Sequence, residues 1–308
     1  MSDNYRARNW AQYNRALVKR GSLTLWFDEK SVEEWYEACQ SGERGRSKLY
    51  SDLAVRVSAT LRAIFRLPFR ATQGFLNSLF TLLKLPLKSL SYTQLCRRLQ
   101  IMPVKLEYQI NKPVHMVVDS TGLKLYGEGE WKTKIHGQSK HRMWRKLHLG
   151  VDEATNEIIA CELTTNHIGD NKVLDPLLGS YQGQIKRVSA DKGYDGHEAF
   201  DTIVRYGADP VILTQRTAKV SRRKTKSARD LVIQEIAEIG RDEWKKRHRY
   251  HRRSLCETAM FRYKTIFGAQ LNSRNLESQK REALLKCNLL NKFNSFCKLD
   301  SYKTGFRA

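Results

Sequence analysis

Three carboxylates, Asp119, Asp191 and Glu257, stand where an acid is costly unless something uses it. Asp119 follows the apolar run His115-Met116-Val117-Val118, which reads as a buried strand, and Asp191 closes a second one, Arg187-Val188-Ser189-Ala190. Glu257 lies in a basic helical pattern after Tyr250-His251-Arg252-Arg253. A carboxylate at the end of a buried strand loses hydration and needs a compensating partner. A divalent cation is the commonest partner that wants several such groups at once. Hard oxygen ligands suit Mg2+, with Mn2+ as a substitute. Two such ions roughly 3.5 to 4 Å apart would stabilise the entering and leaving oxygens of an in-line phosphoryl transfer. Asp119, carried on a strand, has the rigidity to bridge them, with Asp191 and Glu257 holding one each.

Spacing adds neighbours to Glu257. Tyr250, Arg253, Glu257 and Lys264 fall three, four and seven residues apart, so a continuous helix puts all four on one face. Cations there would hold nucleic-acid phosphates beside a metal-binding acid. Spacing alone favours a plainer reading, an i, i+4 ion pair of Arg253 with Glu257.

The balance of the chain agrees with a polyanionic partner. Its 308 residues carry 55 Lys and Arg against 32 Asp and Glu, a net charge of +23. A ribosome-associated or simply soluble basic protein is the bland alternative. Apolar residues make up 41%, which implies a globular chain. Six cysteines with no C-x-x-C pair argue against a zinc site and a disulfide framework, and for a reducing cytosol. The first twenty residues are polar and basic, so no signal peptide is expected. The most apolar stretch, residues 61–90, is broken by Arg62, Arg66, Arg70, Lys84, Pro68 and Pro86, which excludes a membrane span. No G-x-x-x-x-G-K pattern occurs, so ATP is not implied.

The elements that must position the acids change character along the chain. Residues 1–20 read as a flexible basic arm and 21–108 as a helical DNA-binding domain. Ser31 to Glu34 resembles a capping box before Trp35. Residues 52–66 carry an amphipathic stripe, and the capped helix starting at Ser91 brings Arg97 and Arg98 where the second helix of a helix-turn-helix would. After Pro113 the period drops to two. Strands are expected at 114–118, 144–151, 156–163, 185–190 and 210–213, with helices at 172–181 and 197–206. Leu147, Leu149 and Val151 should share one face, and Lys146 and His148 the other. The order fits an α/β ribonuclease-H-like mixed sheet over residues 109–297, with a basic insertion at about 214–249 and a tail at 298–308. The insertion holds Arg222, Arg223 and Lys224, candidates for DNA contact. A long helix from Tyr250 through Glu257 and a last one over 278–296 complete the core.

Other residues have plainer explanations. His115 and His148 read as structural or DNA-facing, because magnesium prefers oxygen. Asp152, Asp170, Asp175 and Asp195 read as turn or cap residues, Asp195 with some ambiguity beside Asp191. Trp131 and Trp144 read as core, with base stacking as the alternative.

The set Tyr250-x2-Arg253-x3-Glu257-x6-Lys264 resembles the Y-R-E-K motif of bacterial insertion-sequence transposases. The segments Asp119-Ser120-Thr121-Gly122-Leu123-Lys124 and Ala190-Asp191-Lys192-Gly193-Tyr194-Asp195 are similar to the first two acidic motifs of those enzymes. Gly127-Glu128-Gly129-Glu130-Trp131, Trp144-Arg145-Lys146-Leu147-His148-Leu149 and the tail residues Arg274, Gln279 and Glu282 resemble the insertion sequence 5 family. The likeness runs from about residue 20 to 297. It implies a magnesium-dependent DDE transposase whose metal ligands are Asp119, Asp191 and Glu257. Its N-terminal domain would read terminal inverted repeats, and Tyr250, Arg253 and Lys264 would touch DNA near the scissile phosphate. Cleavage at the element ends and attack of the freed 3′-hydroxyl on target DNA would follow, in a homodimeric or larger synaptic complex in the bacterial cytoplasm, at the nucleoid. A non-catalytic DNA-binding regulator, and a nuclease of the same fold that never joins strands, remain the alternatives.

Overall fold

Short helices fill the first hundred residues because apolar side chains recur there at helical spacing between Pro and Ser punctuation. The computed structural model describes residues 5–38, 49–110, 112–125, 144–222 and 225–303, and the chain divides into two units, 1–104 with 291–308, and 105–290. The first unit contains α1 (Trp10–Lys19), α2 (Leu23–Trp26), α3 (Glu29–Glu33), α4 (Asp52–Ile64), α5 (Phe69–Leu82) and α6 (Tyr92–Ile101). Ser51 caps α4 through Ala54 N–H, and Ser91 with Gln94 forms a capping box on α6. Trp35, packed edge-on against Phe80 and Phe27, lies at the centre and is fully buried.

Three expectations for this unit change. Residues 10–19 are helical, not a flexible arm. The Asn9 amide donates to Lys298 O at 2.6 Å, and strand Tyr5–Ala7 pairs antiparallel with Ser301–Lys303, tying the expected arm and tail together. The cap before Trp35 is Asp28, whose carboxylate accepts both Ser31 N and Ser31 Oγ, so Ser31 is a donor inside α3. Boundaries also move, because residues from 291 onward group with the N-terminal helices.

The second unit is built on a six-stranded mixed sheet. Its strands are β1 (Val114–Leu125), β2 (Trp144–Asp152), β3 (Ile158–Thr165), then α7 (Asp170–Gly179), β4 (Ile185–Ala190), α8 (His197–Arg205) and β5 (Asp209–Ile212). There follow α9 (Ala228–Ile239), α10 (Arg241–Arg247), α11 (Ser254–Phe267), β6 (Gln270–Leu271) and α12 (Leu276–Phe296). The order across the sheet is β3-β2-β1-β4-β5, with β2 antiparallel to both neighbours and β4 and β5 parallel to β1. The expected mixed α/β sheet is therefore present. The strand β6, not expected, pairs in parallel with the far end of β1.

Burial explains why strict alternation fails in β2. Residues 147–152 are all buried, because α7 covers one face and α11 the other, and His148 is enclosed along with Leu147 and Leu149. Gly150 is needed there, since a Cβ would stand 2.8 Å from Met116 Sδ and 2.9 Å from Ala160 Cβ. The basic insertion also holds more structure than a solvated charge run. Within it, α9 and α10 pack Val232, Ile236 and Ile239 around fully buried Trp244. Among the described residues, no helix is long and apolar enough to cross a membrane.

Candidate active site

Strand pairing brings the first two acids together. β1 and β4 run in parallel register as far as Val118 opposite Ala190; Asp119 is the next residue on β1, and Asp191 is the residue directly after β4. Asp119 Oδ1 accepts Ser120 N–H at 2.8 Å, while Asp191 caps a single 3-10 turn through Gly193 N–H at 3.3 Å.

The third acid arrives on a helix whose start differs from expectation. Arg249 adopts a left-handed conformation with φ of 52°, so the chain breaks after α10 and restarts as a 3-10 turn, Tyr250–Arg253, before α11. Helix therefore does run from Tyr250 past Lys264 as expected, but its first turn is 3-10, which rotates Tyr250 and Arg253 relative to the α-helical spacing of Glu257 and Lys264. The turn is pinned. Arg252 bonds Glu153 through Nε at 3.0 Å, and the same Glu153 pairs with His115. α11 buries Cys256, Ala259, Met260, Tyr263 and Phe267, which leaves Glu257 on its open side.

Arg253 joins the three. Its Nη1 lies 2.8 Å from Glu257 Oε1, 3.8 Å from Asp119 Oδ2 and 3.9 Å from Asp191 Oδ2. The i, i+4 pair with Glu257 is thus real, and it is one edge of a larger cluster. Side-chain exposure rises from 18% at Asp119 through 41% at Asp191 to 51% at Glu257. Burial pushes the Asp119 carboxyl above its ordinary pKa, and the neighbouring Asp191 and Glu257 add to that. Burial works against the charge on Arg253, yet Glu257, Tyr250, Asp191 and Asp119 together hold its pKa above the ordinary value.

Around this cluster, Tyr250 donates to Ala190 O at 3.3 Å, and Lys264 Nζ donates to Thr121 Oγ1 at 2.6 Å. On the other face of β1, Ser120 Oγ donates to Asp170 at 3.0 Å, and Lys146 pairs with the same acid at 3.0 Å. Asp170 thus braces β1 one residue past Asp119, more than a cap would do. Only the polar run Asp119-Ser120-Thr121 hinted at these two anchors.

The remaining candidates separate clearly. Asp195 is paired with Arg229 at 2.7 Å and accepts Gln215 N–H, which commits it to structure. Asp152 holds the hairpin turn through Thr155, and Asp175 pairs with Arg205. His148 is enclosed and bonded to Thr164, with burial lowering its pKa to about 4. Trp144 packs beside Gly122 with Lys124 over its ring, and Trp131 lies outside the described residues. Among the DNA-contact candidates, Arg97 and Arg222 are exposed. Arg98 is occupied, donating to Tyr50 O at 2.9 Å and pairing with Asp52 at the start of α4, so it is a structural residue. Arg223 and Lys224 lie outside the described residues. The described free cysteines include Cys161 and Cys287, with sulfurs 3.6 Å apart.

The donor set at Asp119, Asp191 and Glu257 is all carboxylate oxygen, which fits a hard divalent cation. Among the described residues, no three His, Cys, Asp or Glu side chains already stand as a closed metal-binding group, and Arg253 is what the acids face.

A family model described as transposase DDE domain matches residues 110–292, and a second of the same description matches 18–128. The chain belongs to the DDE transposase family, nucleic-acid-processing enzymes whose domains generally use divalent metal ions. A solved structure, the cryo-EM structure of the piggyBac transposase synaptic complex with hairpin DNA, is similar over 91% of this chain and 76% of that one, with 8% identity and a TM-score of 0.38.

Proposed function

We propose that this chain is a DNA transposase of the insertion sequence 5 kind that cuts at the inverted-repeat ends of its element and joins the 3′-hydroxyl ends to target DNA. The observation that carries the reading is the meeting of Asp119, Asp191 and Glu257 at one guanidinium nitrogen, in a chain of the DDE transposase family. The strand order, with β2 antiparallel and β4 and β5 parallel to β1, supports a ribonuclease-H-like core.

Bound divalent ions, Mg2+ or Mn2+ held by the three carboxylates, would supply charge stabilisation at the phosphoryl group and acidify the attacking water. The protein's own part is positional. The β1–β4 register fixes Asp119 and Asp191, and the Arg252–Glu153–His115 chain fixes the turn that carries Arg253 and Glu257. Tyr250, Arg253 and Lys264 line the same place and would hold the phosphates flanking the cut. Arg97 on α6 and Arg222 are open to duplex DNA. The partners are element ends and target DNA, brought together by a homodimer or larger assembly without ATP, in the bacterial cytoplasm at the nucleoid.

Asp119→Asn tests this. Cleavage of inverted-repeat DNA and joining of pre-cleaved 3′-ends should both fall by about three orders of magnitude, while retention on a DNA gel-shift stays within about twofold. Cleavage at the wild-type rate would remove the site assignment, and cleavage without joining in the wild-type protein would make it a nuclease.

A further inference from the structure

We infer that Arg253 is a resident counter-ion which holds the three acids together in the absence of metal and competes with metal for them, so that DNA, by drawing Arg253 onto a phosphate, raises the metal affinity of the site. The inference rests on the metal-ligand reading above and adds a switch to it.

The geometry is a competition for oxygens. One guanidinium nitrogen stands 2.8, 3.8 and 3.9 Å from the three carboxylates, so a cation entering among those oxygens meets a positive charge already there. Like charges at such separations repel strongly, and the more so where water is partly excluded. One guanidinium leaves two of the three negative charges uncompensated, so the cluster still attracts a divalent ion. Arg253 therefore tunes the affinity without abolishing it.

Release requires little. The backbone of the Tyr250–Arg253 turn is tied down through Arg252, which donates to both the side chain and the backbone carbonyl of Glu153. The Arg253 side chain is a quarter exposed and can swing without moving that turn. A DNA phosphate offers guanidinium a bidentate partner matched to its planar fork, which three separately placed carboxylates do not. By linkage, the factor by which DNA tightens metal binding equals the factor by which metal tightens DNA binding. The consequence is a transposase poorly loaded with metal until it sits on DNA, which suppresses stray hydrolysis. Arg253 is in this sense a positioning residue.

The experiment measures Mn2+ binding to the full chain by electron paramagnetic resonance, with and without a short duplex. Arg253→Gln should bind Mn2+ about tenfold more tightly than wild type without DNA. Duplex should tighten Mn2+ binding to the wild type by about tenfold more than it does to Arg253→Gln. Arg253→Lys, which keeps the charge but loses the fork, should fall between them, and circular dichroism confirms that each variant is folded. Equal Mn2+ affinity in wild type and Arg253→Gln, or an equal gain from DNA in both, overturns the inference. Adding Asp119→Asn separates the two layers. If Mn2+ binding needs Asp119 but ignores Arg253, only the switch fails; if it survives Asp119→Asn, the metal-site reading fails.

Discussion

Asp230 and Asp119 belong to the same unit, and the fold treats them in opposite ways. Asp230, in the first turn of α9, accepts four hydrogen bonds: Ser221 N and Oγ at 2.7 Å each, Ser227 N at 3.1 Å and Ser227 Oγ at 2.9 Å. The backbone N–H and hydroxyl of Ser221, joined by Ser227, outweigh burial and hold its carboxyl far below the usual range. Asp119 has one backbone donor and a guanidinium 3.8 Å away, and burial pushes its carboxyl up. Glu282 follows Asp230, accepting Asn272 and Ser273 N–H groups and pairing with Lys286 at 2.8 Å. Structural acids have their lone pairs filled by several donors, whereas the acids at the β1–β4 end meet one backbone N–H each at Asp119 and Asp191 and share the Arg253 guanidinium.

The largest expected effect breaks the satisfied side of that contrast. Asp230→Ala strands four donors at the edge of the basic insertion and should cost about 3 to 4 kcal/mol in urea unfolding. Because the Asp230 pKa is depressed in the fold, its stabilising contribution is present above the ordinary carboxylate range and disappears as pH falls below about 4. A cost near zero would mean that donor count does not separate the two classes.

His148 sharpens the contrast, as a buried group whose charged form the fold does not support. Its pKa falls from 6.5 to about 4 on folding through burial. The unfolded chain takes up the proton first, so stability is complete above pH 6.5 and drops by up to about 3 kcal/mol as pH approaches 4. His148→Gln should reduce the slope of stability against pH over that interval, the remainder belonging in part to His115, whose pKa burial also lowers. An unchanged slope would place the titration elsewhere.

The smallest effect has the opposite sign. Asp119→Asn removes a charge that the metal-free fold disfavours, so the variant should melt higher by about 2 to 4 °C, near 1 kcal/mol. A lower Tm would show that Arg253 compensates Asp119 fully and that the acid is structural after all.

Local patterns made much of this legible. The strands at 114, 144, 158, 185 and 209 and the helices at 170 and 197 follow from period and punctuation, signals that sit within a few residues of one another. The break at Arg249 escaped, because a left-handed arginine carries no Gly or Asn to announce it. So did β6, a two-residue strand followed by Asn272 and Ser273, whose N–H groups are held by Glu282 from α12.

By itself the sequence determined which side chains were available: two acids ending apolar segments and a third in a basic helical pattern, a cationic surplus, and the Y-R-E-K spacing. The tertiary structure decided their use. Asp191 rather than Asp195 faces Asp119 because β1 and β4 stop pairing at Val118 and Ala190, while Asp195 turns away to Arg229. Arg253 meets all three acids, and Arg98 is consumed at Asp52, through contacts between segments far apart in the chain. Period and propensity act over a few residues, so which partner neutralises a charge is settled only when distant segments pack.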